Sequence, residues 1–199
     1  MNFFIIAIIG IAVLATVERL TGTPSEPSDP PVLDPKFTDL QLKEKNVDLK
    51  KQNFFLRTLG QLKPYLPIIK EQTEKVLSNP NANIVAAIIM QESGGLKSAV
   101  GKSGEIGLMQ VKPEAKQDVN NAFADSNYFD SELFNPQTNI KVGVRFLELT
   151  FRRMNFDTFE TLRAYNCGIA GALGNKNCGV NYANEVLDKA VILSKFGLF

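Results

Sequence analysis

Three short stretches carry residue types that could work on a neutral, hydroxyl-rich ligand: residues 88–95 (IIMQESGG), 104–113 (GEIGLMQVKP) and 163–168 (RAYNCG). In the first, Glu92 follows Val85, Ile88 and Ile89 at helical spacing, so on a helix it extends an apolar face. Burial disfavours a charged carboxylate. Gly94 and Gly95 would end the helix just after Glu92, where the carbonyl end of the helix dipole also opposes ionisation. A carboxyl held this way keeps its proton near neutral pH and can give it to a substrate as a general acid. The bland alternative is a Glu92 that turns into solvent or pairs with Lys97.

The second stretch suits the wall of a cleft. Gly104 and Gly107 permit tight turns and close backbone approach, Leu108 and Met109 are apolar, and Gln110 offers both a donor and an acceptor. Alone it would read as a glycine loop leading into a core helix. In the third stretch a helix stops at Gly168 and presents Tyr165 and Asn166 at its end. Singly, these are a core tyrosine and a helix cap.

The composition narrows the chemistry. The chain of 199 residues has no histidine, which removes Ser-His-Asp and Cys-His catalysis and most zinc sites and leaves carboxylates as the acid–base groups. No cofactor or metal is expected. With no tryptophan, any sugar-stacking surface must use Tyr or Phe. A formal net charge of +1 gives no reason to expect nucleic acid as a partner. Cys167 and Cys178 are either a disulfide closing a short loop or two buried thiols.

The elements that must position these groups follow from patterning. An apolar run at 3–17 stops at Glu18 and Arg19. As a helix it would be about 22 Å long against a hydrocarbon core of ~30 Å, so spanning needs thinning of the bilayer and snorkelling by Arg19. We read residues 1–20 as a retained membrane anchor, with a cleaved secretory signal as the alternative. Residues 21–36 hold half of the chain's 10 prolines and read as an extended tether. Residues 37–60 read as a polar helix with an imperfect stripe of Leu42, Val47, Leu49, Phe54 and Leu56. Residues 61–199 read as a mainly helical domain, since no segment alternates with period two between hairpin signals. Helices are expected at 67–77, at 84–93 capped by Asn81 or Asn83, at 140–154 capped by Asn139 or Thr138, at 156–165 and at 182–193.

Read together, Glu92-Ser93, Gly107-Leu108-Met109-Gln110 and Ala164-Tyr165-Asn166-Cys167-Gly168 resemble the lytic transglycosylases with a soluble-transglycosylase (SLT, goose-lysozyme-like) catalytic domain. Weaker matches are Asn135-Pro136-Gln137-Thr138-Asn139-Ile140 with Gly143, and Asn181-Tyr182. The resemblance covers roughly residues 62–193, and the joint pattern is more specific than any piece. There are departures. The family commonly has a serine nine residues after the glutamate, where this chain has Gly101, with Ser103 two further on. Glu105 stands where a small residue is usual, and Arg163 and Ile169 replace a small residue and a proline.

The resemblance implies a mainly α, lysozyme-like fold. It also implies cleavage of the β-1,4 bond between N-acetylmuramic acid and N-acetylglucosamine in peptidoglycan glycan strands. Glu92 would be the acid and then the base, leaving a 1,6-anhydro end. Asn166 would hold an acetamide or ring hydroxyl, Tyr165 and Tyr182 would shape the subsites, and Met109 and Gln110 would form the wall. Ser103 is the candidate replacement for the absent serine. The substrate's own acetamide can replace a second carboxylate. One alternative is a hydrolytic muramidase on the same fold, with Glu105, Asp118 or Asp125 placing a water. Another is a catalytically weak peptidoglycan-binding assembly protein. An anchor and tether would suit local wall opening for a larger assembly, a secretion or conjugation apparatus or a phage virion, with the domain facing the periplasm or wall.

Overall fold

The computed structural model describes residues 39–76 and 81–199. The apolar run at 3–17 and the proline-rich stretch at 21–36 lie outside the described residues. Among the described residues the regular structure is helical: α1 Asp39–Leu62, α2 Leu66–Glu74, α3 Ala82–Glu92, α4 Pro113–Ala122, α5 Pro136–Arg153, α6 Thr158–Cys167, α7 Ile169–Gly174 and α8 Val180–Ser194. Extended pairing among them is limited to isolated bridges of Ile106 with Val100 and Val111. No helix of the described residues is long and apolar enough to cross a membrane.

The chain divides into two units, Met1–Arg57 and Thr58–Phe199. In the described part of the first, Leu49 and Phe54 of the expected stripe are exposed, and the Arg57 guanidinium lies over the Phe54 ring.

The second unit is built around α3. Asn81 starts this helix by accepting the Asn83 N–H at 2.8 Å. Every residue from Val85 to Met90 is fully buried. The sequence expectation of one apolar face is therefore too narrow, because α8 packs along α3 and α2 also covers it. A helix apolar all round belongs in the interior, and its end is carried there too.

α5 begins one turn before the sequence reading placed it. Asn135, not Asn139 or Thr138, is the cap: its side chain accepts the N–H groups of Gln137 and Thr138, and Pro136 occupies the first turn. This frees Asn139 for another task. α4 was foreseen only as the core helix into which the loop reading of 104–113 leads, without bounds. It buries only Ala115 and Val119, too few apolar residues to register as a stripe, and Pro113 marks its start.

Cys167, at the end of α6, and Cys178, before α8, form a disulfide across a Cα separation of 6.2 Å. The enclosed loop contains α7. Arg163 clamps it from inside: Nε donates to Cys178 O at 2.8 Å, Nη2 to Ala172 O at 3.0 Å and Asn175 O at 2.8 Å, and Nη1 to Glu160 at 2.6 Å. Four bonds at 5% exposure explain why a large cation stands at this position. Cys178→Ser is expected to cost about 2–4 kcal/mol. Urea unfolding under oxidising conditions checks this; a midpoint equal to wild type would contradict it.

Candidate active site

Glu92 is the last residue of α3, and the turn after it is fastened to the 107–110 segment. The Ser93 hydroxyl donates to Leu108 O at 2.8 Å and accepts the Gly95 N–H at 3.1 Å. This joins the first two stretches of the sequence reading.

The 107–110 segment is shaped by α5. Gly107 has φ +77°, and a Cβ there would lie 2.6 Å from Leu133 O and overlap the Asn139 amide. Asn139 uses that space. Its Oδ1 accepts the Met109 N–H at 2.8 Å, and its Nδ2 donates to Ile106 O and Leu133 O, both at 2.8 Å. One turn along, Gly143 lets the Met109 side chain lie against the helix, since a Cβ there would sit 2.9 Å from Met109 Cε. Asn135, Pro136, Asn139 and Gly143 are thus one device that starts a helix and seats a loop on it. Gln110 follows with φ 45°, its Nε2 bonded to Gly107 O at 2.9 Å and Ala99 O at 3.2 Å.

Two tyrosines complete the surroundings. The Tyr182 hydroxyl on α8 donates to Glu92 Oε1 at 2.6 Å. The Tyr165 hydroxyl on α6 donates to Met109 O at 2.9 Å, and its ring tilts against Phe146 at 5.7 Å. Burial pushes the Glu92 carboxyl above the usual range, the bond from Tyr182 opposes this, the charge of Glu105 adds to it, and Lys112 opposes it weakly. Burial and the neighbouring carboxylate push both tyrosine hydroxyls well above their ordinary value, so they remain donors. Glu92, Gln110, Tyr165 and Asn166 open on one cavity of about 420 Å³. It pairs a carboxyl suited to proton transfer with neutral amides that can bind hydroxyls and acetamides.

Residues 68–184 match the family described as "Transglycosylase SLT domain". The chain belongs to that family. Over 68 residues it is 41% identical to the endo-type membrane-bound lytic murein transglycosylase A of Klebsiella pneumoniae, covering 33% of this chain and 34% of the relative. Over 87 residues it is 37% identical to the protein of the same name from Citrobacter koseri, covering 43% of this chain and 42% of that one. The match thus spans less than half the length of these relatives. The fold resembles a 70-kDa soluble lytic transglycosylase solved with bulgecin A, with a TM-score of 0.64 at 21% identity over 80% of this chain and 28% of that chain. It also resembles the 70-kDa soluble lytic transglycosylase of Escherichia coli, with a TM-score of 0.60 at 19% identity over 82% of this chain and 31% of that one. The mainly α, SLT-type fold expected from the sequence is the one observed.

In this SLT domain not every expected contact reaches the cavity. The Met109 side chain is fully buried against Gly143, so it is core and not wall; its carbonyl serves the site by holding Tyr165. Ser103 is exposed on its turn and does not line the cavity; its N–H bonds Glu105 Oε2 at 2.9 Å. Asp125 lies elsewhere, paired with Arg145 at 2.7 Å and held to a pKa of about 2 by that bond. Glu105 and Asp118 do line the cavity. Lys97 is exposed, and the hydrogen-bond partner of Glu92 is Tyr182. The sequence reading gave no role to Lys112, which lies within its second stretch, or to Phe146, which carries no local motif and reaches the cavity only through the fold.

Proposed function

We propose that this SLT domain is a peptidoglycan lytic transglycosylase in which Glu92 is the acid and then the base. The observation that carries the reading is a half-buried carboxyl, bonded to Tyr182 at 2.6 Å, at a cavity shared with Gln110 and Asn166. Because Oε1 accepts from Tyr182, Oε2 carries the proton. Glu92 gives it to the bridging oxygen of the β-1,4 bond between N-acetylmuramic acid and N-acetylglucosamine, and the C1–O bond breaks. The substrate's acetamide oxygen stabilises C1 in place of a second carboxylate. Ionised Glu92 then takes the proton of the C6 hydroxyl, whose oxygen closes on C1. The product is a 1,6-anhydro end, and no water is consumed. Asn166 holds the acetamide or a ring hydroxyl.

Tyr182 stabilises the ionised form of Glu92 between the two steps. Tyr182→Phe removes a donor to the anion, so the Glu92 midpoint rises. The alkaline limb of kcat/KM for glycan cleavage is expected to move to higher pH. An unmoved or lowered limb would contradict this role.

Glu105 and Asp118 in the same cavity favour a second reading, hydrolysis by a water placed opposite Glu92. Products distinguish the two: anhydro ends for the transglycosylase, reducing ends for the muramidase. The relatives are named membrane-bound, and the apolar run at 3–17 fits a retained anchor behind a proline-rich tether, with the domain at the periplasm or wall. Such an arrangement suits local wall opening for a larger assembly. Fractionation with and without residues 1–20 tests the anchor.

A further inference from the structure

The glycine at 101 and the glutamate at 105 share one space. A Cβ on Gly101 would lie 2.9 Å from Glu105 Cβ and 2.9 Å from Gln110 Oε1, and it would overlap the Glu105 carboxylate itself. A side chain at 101 and a carboxylate seated at 105 therefore exclude each other. Both departures from the SLT pattern become one substitution, a carboxylate in the room that a side chain at 101 would take.

The turn holds this carboxylate in place. Gly101 N–H donates to Glu105 O at 2.7 Å, and Ser103 N–H donates to Glu105 Oε2 at 2.9 Å. The bond from its own N–H and that from Ser103 hold Glu105 below the usual carboxylate range, so it is ionised. Its side chain is 18% exposed and opens on the cavity that holds Glu92.

We propose that Glu105 is a positioning residue for the Glu92 proton: seated in the room left by Gly101, it presents a fixed negative charge to the cavity that Glu92 shares, and this charge adds to the effect of burial. The proposal rests on the reading of Glu92 as the acid. Among the other groups around Glu92, the bond from Tyr182 acts against this charge, and Lys112 does so less. Tyr182 from α8 and Tyr165 from α6 are neutral donors. Lys112 lies 3.7 Å from Glu105 Oε1, but its side chain is 50% exposed, so solvent screens it more than it screens Glu105. On α4, Glu114 and Asp118 add negative charge to the lining, and Asp118 faces Arg153 at 3.6 Å. A carboxylate at this place extends the acid's working range to higher pH.

The test is a carbon-13 carboxyl NMR titration of Glu92 in the wild-type chain and in Glu105→Gln, which keeps size and the acceptor for Ser103 N–H. The Glu92 midpoint is expected to fall in the variant. In assays the alkaline limb of kcat/KM should move down with it, giving a severalfold loss at alkaline pH and little change on the acid side. An unchanged or raised midpoint overturns the proposal. Gly101→Ser with Glu105→Gly supplies a second chain that lacks the carboxylate and its Cβ but refills the space, and its Glu92 midpoint must fall too. Gly101→Ser alone should lower the urea midpoint, and adding Glu105→Gly, which removes the Cβ as well as the carboxylate, should restore part of it; equal losses in both backgrounds would refute the shared space. The titration needs no substrate. A chain that titrates as expected but cleaves no glycan would sink the functional reading and leave only the effect of Glu105 on the Glu92 carboxyl.

Discussion

Glu92→Gln is expected to reduce glycan cleavage by about 10³-fold or more while leaving the fold intact. A positioned acid–base group contributes roughly 10²–10⁴-fold, and here one carboxyl is asked to serve two proton transfers. The amide has the size of the carboxyl and can still accept the Tyr182 hydroxyl at the position of Oε1, where the wild-type bond is 2.6 Å. It can neither protonate the bridging oxygen nor take the proton of the C6 hydroxyl. Burial opposes the charged form of Glu92, so removing the ionisable group should leave the urea midpoint unchanged or raise it. Muropeptide release at several pH values, with urea unfolding of the same samples, checks both halves. A variant that loses activity only because it unfolds would contradict the assignment, as would one that keeps a tenth of wild-type activity.

Asn139→Ala is expected to have the largest effect on stability of any single polar substitution discussed. The side chain is 1% exposed and makes three hydrogen bonds, to Met109 N, Ile106 O and Leu133 O. Its loss strands Met109 N–H and Leu133 O, leaves Ile106 O with the Val111 N–H alone, and opens a void, at a cost of about 3–5 kcal/mol, a large part of a typical domain's stability. Activity should fall with it, because the segment released is the one that carries Gln110 and, through Met109 O, fastens Tyr165. Asn139→Asp keeps an acceptor for Met109 N–H but loses both donations, so it should also be destabilised. A urea midpoint for Asn139→Ala within error of wild type would refute this account of the 107–110 segment.

The helix that delivers Glu92 was legible because its signals are local: an asparagine at the start, an unbroken apolar run and two glycines at the end. The depth of its burial was not, since α2 and α8 cover it from positions distant in sequence. Met109 shows the same limit. Sequence could say only that it is apolar, and its seat against Gly143 decides that the side chain is core. Asn139 was misread as a cap because an asparagine before an apolar run has that form; Pro136 was the better signal of the true start. Gly101 and Glu105 looked like separate departures until their positions showed one volume used once. Arg163 looked out of place until its bonds to three carbonyls of the disulfide loop were seen. α4 has so small an apolar face that only the fold reveals its bounds.

The most direct test of the central claim is mass spectrometry of the muropeptides released from purified peptidoglycan by residues 36–199, run beside Glu92→Gln. The account predicts glycan fragments ending in 1,6-anhydro-N-acetylmuramic acid from the wild type and none from the variant. Fragments with reducing ends, or equal release by the variant, would contradict it.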